Sequence, residues 1–351
     1  MIWNTGLQNM SAGSKRKFRL FLRHPLFICL MAGILLCGCA GRFEGKEQDT
    51  ETGKIRVVTT IFPPYDFVRE IAGDEVELKM LLKPGQEAHS YEPTPQDIIA
   101  IENSDIFIYV GGENDQWVED ILDSMPESDT EILRLTDCVD TLEEEHVEGM
   151  KEERGHSHDE TGKRQLPDGT QIHSVHQIDE HVWTSPKNAA RIVDQIQRLL
   201  SGKDSANREF YRENAESYKE KLLELDNEFR RVTENSKRRL VIFGDRFPFR
   251  YFTEEYGLSY YAAFPGCASD TEPSASTMAF LIDKVKEEDV PVVLKMELSN
   301  DDISRAIAEA TGTKVRTFYS CHNISAEDFE NGGSYLSMMQ KNVDTLREAL
   351  N

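Results

Sequence analysis

The chain has 351 residues and carries 40 Lys and Arg against 63 Asp and Glu, a formal net charge of −23 at pH 7. Its N-terminal segment is basic, so the remainder is more acidic still, which argues against nucleic acid and anionic lipid surfaces as partners. About 300 residues lie beyond that segment, enough for two ordinary domains.

Lys15, Arg16, Lys17, Arg19 and Arg23 precede an apolar run over 25–36. That run has the length of a signal-peptide core and is short for a bilayer span. It ends Leu36-Cys37-Gly38-Cys39, which resembles a bacterial lipobox. Cleavage before Cys39 leaves a lipidated cysteine that anchors the chain; an uncleaved anchor helix is the alternative. Both place the rest outside the cytoplasmic membrane. The organisation expected is a signal peptide 1–38, a flexible tether 39–54, a first lobe 55–200, a connecting helix 201–237 and a second lobe 238–351. Beyond the export segment only Cys138, Cys267 and Cys321 remain, an odd number that cannot all pair internally.

In the first lobe, strands are expected over 55–60, 76–82, 106–110 and 131–135, with helices over 64–72, 95–103 and around Trp117, Ile121 and Leu122. Alternating strands and helices imply a parallel sheet covered on both faces. Pro84 and Gly85 stop the second strand, so His89 falls in a loop at its carboxyl end. Thr94 and Pro95 supply an N-cap and first helical residue just beyond. Residues 137–179 break the rhythm: they are acidic and hold His146, His156, His158, His173 and His176. Loops of this length are functional or unstructured as a rule, and histidines among carboxylates hold divalent metal loosely. We expect this loop to be flexible and outside any tight site. His181 follows, again in a loop ahead of a helix, 186–200, capped by Ser185. Asp179 or Glu180 can accept from one ring nitrogen of His181, which leaves the other for a metal.

Pro84-Gly85, His89, the run Tyr91-Glu92-Pro93-Thr94-Pro95-Gln96-Asp97, and then His181, Trp183 and Pro186 resemble the solute-binding lipoproteins of zinc and manganese ABC importers. The resemblance runs from about residue 55 to the C-terminus. It implies an α/β fold of two Rossmann-like lobes with parallel sheets, joined by one long helix, with a single metal in the interlobe cleft. It implies His89 and His181 as ligands, Zn²⁺ as the cargo with Mn²⁺ as the alternative, an ABC transporter permease as partner, and no enzymatic activity. It also implies a lipid-anchored extracytoplasmic monomer, and a histidine-rich loop that collects or senses metal.

Residues 205–236 lack Pro and Gly, and Phe210, Ala215, Tyr218, Leu222, Leu225, Phe229 and Val232 fall near helical spacing. In the second lobe, strands are expected over 240–243, 259–263, 292–295 and 314–319, and helices over 249–256, 274–287, 299–311 and 335–350. Asp245, Cys267, Glu297, Cys321 and His322 all follow strand ends, where ligands bind in doubly wound sheets. Here the chain departs from the family. The family's third ligand position falls on Arg246, which has no lone pair to give. Its fourth, an acid, falls within 319–323, which holds none. His322 is the natural substitute, and Glu297 a possible fourth group unless it bonds Arg246. Asp245 or Glu297 is expected to neutralise Arg246. Cys267 and Cys321 can form a disulfide or bind metal as thiolates. Two readings from other classes are an extracellular zinc-dependent enzyme with Glu297 as base, and a surface adhesin on the same fold.

Overall fold

A computed structural model describes residues 53–87, 91–125, 129–150, 177–266 and 272–351, together with the backbone of 163–165 and 171–173. The export segment with Cys39, and also His89, His156, His158, His176 and Cys267, lie outside these described residues.

The first sheet comprises β1 (Ile55–Thr59), β2 (Val76–Met80), β3 (Ile106–Tyr109) and β4 (Glu131–Arg134), all parallel in the order β2-β1-β3-β4. Helices α1 (Phe62–Ala72), α2 (Pro95–Glu102) and α3 (Gln116–Ser124) make the crossovers. Side chains of β1 alternate between faces: Val57 enters the central core, and Val58 packs with Ile101, Phe107 and Val118 on the other side. Helix α2 starts where the sequence places it. The Thr94 hydroxyl accepts from Asp97 N at 3.3 Å and the Asp97 carboxylate accepts from Thr94 N at 3.1 Å, a reciprocal capping box.

Next come the antiparallel pair β5 (Lys163–Gln165) and β6 (Gln171–His173), α4 (Pro186–Lys203) and α5 (Arg208–Glu234). The 27 residues of α5 extend about 40 Å. Its buried stripe is Tyr211, Ala215, Tyr218, Leu222, Leu225, Phe229 and Val232, spaced alternately four and three. Phe210, expected on that stripe, is 42% exposed, and Tyr211 is fully buried in its place.

The second sheet is also parallel: β7 (Leu240–Phe247), β8 (Ser259–Pro265), β9 (Val292–Lys295) and β10 (Lys314–Thr317), in the order β10-β9-β7-β8. Its helices are α6 (Arg250–Tyr256), α7 (Ala275–Glu287), α8 (Asp302–Thr311), the short α9 (Ala326–Glu330), which the sequence reading lacks, and α10 (Tyr335–Ala349). Strand β7 does not stop at Phe243; it passes through a register shift between Phe243 and Arg246 and continues to Phe247. Gly244 permits this, since a Cβ there would lie 2.6 Å from Ser304 Cα of α8. Helix α8 begins at Asp302 and not at Ser299, because the Ser299 hydroxyl is bonded to Asp245 instead of capping the helix.

One apolar cluster runs without interruption from Val57 and Phe67 through Tyr218 and Phe229 of α5 to Phe318 and Val343. The two sheets therefore share a core across the connecting helix.

The acidic insertion differs from the expected unstructured loop. Glu143 forms an antiparallel bridge with Ile178, and Glu144 N donates to Gln177 O at 2.8 Å. Glu145 reaches Arg250 at 3.4 Å, and Met150 is buried in the central core. The first part of the insertion is thus docked on the second lobe.

Candidate metal centre

His181 ends the closing edge of the insertion and opens a 3-10 turn, Val182–Thr184. It is fully buried. Its backbone N donates to Asp179 Oδ1 at 2.9 Å, and its ring Nδ1 lies 3.1 Å from the same oxygen. A carboxylate only accepts, so Nδ1 carries the hydrogen and Nε2 is left as the lone-pair nitrogen. Burial alone lowers the His181 pKa, but the Asp179 charge and hydrogen bond, with Glu180 adding, raise it above the ordinary value. Asp179 is itself fixed: its N donates to Leu142 O at 2.9 Å, and its carbonyl accepts from Tyr251 Oη at 2.7 Å. Glu180 does not share this role. Its two oxygens accept from Asn114 N and Nδ2, both at 2.9 Å, and burial pushes its pKa up.

His322 comes from the second lobe and its ring centroid stands 5.4 Å from that of His181. Trp183 lies against both imidazoles, 5.6 Å from His181 and 5.1 Å from His322. Its indole Nε1 donates to Ser320 O at 2.8 Å, and Tyr335 Oη donates to Trp183 O at 2.7 Å. His322 lines two small cavities of about 30 Å³ each; one also contains His181, Glu297 and Asn323, the other Thr60, Asp115 and Glu180.

Glu297 does not bond Arg246. Its oxygens accept from Ser320 N at 2.8 Å and Ser320 Oγ at 2.9 Å, so it holds the loop that carries His322. Burial pushes its pKa up to about 7, against the opposing pull of those bonds. Asp245 does not neutralise Arg246 either: its carboxylate accepts from Met296 N at 2.8 Å, from Ser299 and from Arg246 N, and so organises the turn after β9. The Arg246 guanidinium instead meets Glu87 at 3.2 Å, a residue of the loop that leads to His89. Cys321 carries a free, fully buried thiol, whose pKa burial raises well above the ordinary value. It packs in the central core, and Cys267, the other cysteine of the expected pair, lies outside the described residues.

Among the described residues no three His, Cys, Asp or Glu side chains form a ready metal cluster. The structure brings His181, His322 and Glu297 to one cavity and places Asp245 in a separate structural role. Sequence reasoning missed Asn323, Glu87 and the link from Trp183 to Ser320, because each acts on a residue far away in sequence.

A family model described as ZnuA, zinc-uptake complex component A periplasmic, matches residues 57–349. The chain belongs to this family. Among relatives of this ZnuA-family chain, the high-affinity zinc uptake system protein ZnuA of Bacillus subtilis is 29% identical over 325 residues, 93% of this chain and 97% of the relative. The zinc-binding lipoprotein AdcA of Streptococcus pneumoniae is 28% identical over 323 residues, 92% of this chain; the match spans only 60% of AdcA. In crystal structures, the Zn(II)-bound ZnuA-like domain of Streptococcus pneumoniae AdcA superposes with a TM-score of 0.66 at 26% identity, covering 85% of this chain and 99% of the domain. The metal-dependent lipoprotein YcdH of Bacillus subtilis does so at 0.69 and 27%, with the same coverage. The laminin binding protein Lmb of Streptococcus agalactiae shares the fold at 0.67 and 22% identity, covering 85% of this chain and all of Lmb.

Proposed function

We propose that the chain captures Zn²⁺ outside the cytoplasmic membrane and delivers it to the permease of an ABC importer. The observation that carries this reading is the facing pair His181 and His322, with Asp179 on the far nitrogen of His181. A carboxylate–imidazole pair of this kind fixes the tautomer and makes the imidazole a better ligand. The zinc-binding names of the relatives support the choice of ion. The ligand set we assign is His89, His181 and His322, with Glu297 as the fourth group. Glu297 lines the same cavity as His181 and His322, and it joins them by turning an oxygen from Ser320 to the ion, since tetrahedral zinc takes four nitrogen, oxygen or sulfur ligands.

Cys39 supplies the lipid anchor in this reading, and the protein works as a monomer on the outer face of the cytoplasmic membrane. It is a carrier and not an enzyme. As a catalytic base Glu297 would need its oxygens turned to a metal-bound water, whereas both hold Ser320. The deciding experiment is zinc titration of the exported chain with anomalous diffraction at the zinc edge. Bound zinc on His181 and His322 is the expected result; zinc placed elsewhere, or no uptake at micromolar concentration, refutes it.

A further inference from the structure

We propose that Asn323 is the positioning residue of the metal centre: it staples the loop leading to His89 to the loop carrying His322, so that ligands from the two lobes stand at a fixed separation before an ion arrives. The inference rests on the metal-capture reading above. Asn323 is 2% exposed. Its Nδ2 donates to Lys83 O and to Gln86 O, both at 2.8 Å, and its Oδ1 accepts from Ile324 N at 2.8 Å. Both amide hydrogens go to the opposite lobe, and the oxygen accepts within its own turn. Beside them Gly85 N donates to Ile324 O at 2.7 Å.

The two carbonyls that Asn323 grips flank the Pro84-Gly85 turn, three residues ahead of His89. On its other side Asn323 follows His322 directly. Cys321 has φ +58, a left-handed conformation that costs a non-glycine residue about 1–2 kcal/mol. It persists because its neighbours are held: Ser320 by Trp183 and Glu297, Asn323 by the first lobe. Metal therefore enters a clamp already assembled, and the clamp must open at the staple for rapid release.

Asparagine is the residue this arrangement needs. Aspartate at 323 keeps an acceptor for Ile324 N but offers no donor to Lys83 O or Gln86 O. Asn323→Asp keeps the acceptor of the local turn, removes both interlobe bonds and sets a carboxylate against the two carbonyls, whereas Asn323→Ala removes the bonds without adding charge. The test compares the parent, Asn323→Asp, Asn323→Ala and His181→Ala as full exported chains. Zinc release is followed with an excess of chelator, and amide hydrogen exchange at Gly85 is followed in the metal-free protein. Two lost hydrogen bonds predict zinc release about 10- to 100-fold faster and faster Gly85 exchange in both Asn323 variants. Release at the parental rate from Asn323→Ala, which adds no charge beside His322, overturns the proposal whatever Gly85 does, since the interlobe bonds then do not hold the site together. Failure of the capture reading looks different: the parent takes up no zinc, or His181→Ala takes up as much, while Gly85 exchange still reports whether the staple exists.

Discussion

Asp179→Ala removes the acceptor of two buried groups at once, the backbone N–H and the ring Nδ1–H of His181, which lie 2.9 and 3.1 Å from Asp179 Oδ1. Each donor then loses its buried acceptor, at about 1–3 kcal/mol apiece, so a stability loss of about 2–6 kcal/mol is expected. The effect on zinc is separate. Removing a carboxylate that orients a ligating imidazole lowers metal affinity about 10- to 100-fold, or about 1.4–2.7 kcal/mol. Asp179→Asn separates the two effects, because it keeps an oxygen for the backbone N–H while it loses the charge. Its stability should fall little and its zinc affinity nearly as far as that of Asp179→Ala. Urea unfolding of the metal-free proteins measures the first quantity and competition with a fluorescent chelator the second. Parental zinc affinity in a folded Asp179→Ala protein would falsify the assignment of His181 as a ligand.

His322→Ala should weaken zinc binding by orders of magnitude, whereas Arg246→Ala should change it little, since Arg246 offers no lone pair and pairs with Glu87; calorimetry on both variants checks this, and equal losses refute it. Replacing 151–176 by a short Gly-Ser linker should keep the tight site and reduce the number of weakly held ions in equilibrium dialysis. Extending that cut back to residue 143 should also lower the melting temperature, because it removes the bridge to Ile178 and the buried Met150. Burial raises the Asp66 pKa from 3.8 to about 6, so the folded state holds this proton more tightly than the unfolded chain. Its contribution therefore makes stability fall as pH rises from about 4 to about 6, by about 3 kcal/mol, and stay level above. Asp66→Asn should flatten that slope in urea titrations at pH 4 to 7, and an unchanged slope counts against it.

The fold was legible because its signals are local. Thr94 and Ser185 mark helix starts that the structure places at Pro95 and Pro186. The strands are short apolar runs with turn residues beside them. What local signals mislead about is equally specific. Phe210 and Tyr211 are both aromatic and adjacent, and only the four-three spacing of the whole stripe selects Tyr211. Ser299 looks like a cap until Asp245 takes its hydroxyl. Of the proposed ligands, His181 could be named from its loop ahead of a capped helix and His322 from its place after a strand. The partners of Arg246, Glu297 and Asn323 could not, because Glu87, Ser320 and Lys83 lie from 23 to 240 residues away in sequence and nothing in a local pattern pairs them.

Arg246 shows how the cleft keeps its geometry after losing an expected ligand. In the resembled family that position helps hold the ion between lobes. Here a guanidinium, 8% exposed, crosses the same cleft to Glu87, two residues ahead of His89. Glu87 is 43% exposed, so solvent screens this pair in part, and it is one of several links between the lobes that need no metal. Asn323 and Gly85 add bonds beside it, and α5 carries one continuous core beneath both sheets. In the ligand set proposed above, the second lobe reaches the ion through the loop after β10, where the left-handed Cys321 turns the chain and His322 follows. The residues that hold the loop (Trp183, Glu297 and Asn323) differ from the residues that would hold the ion, and this separation is why a changed ligand position is compatible with an intact clamp.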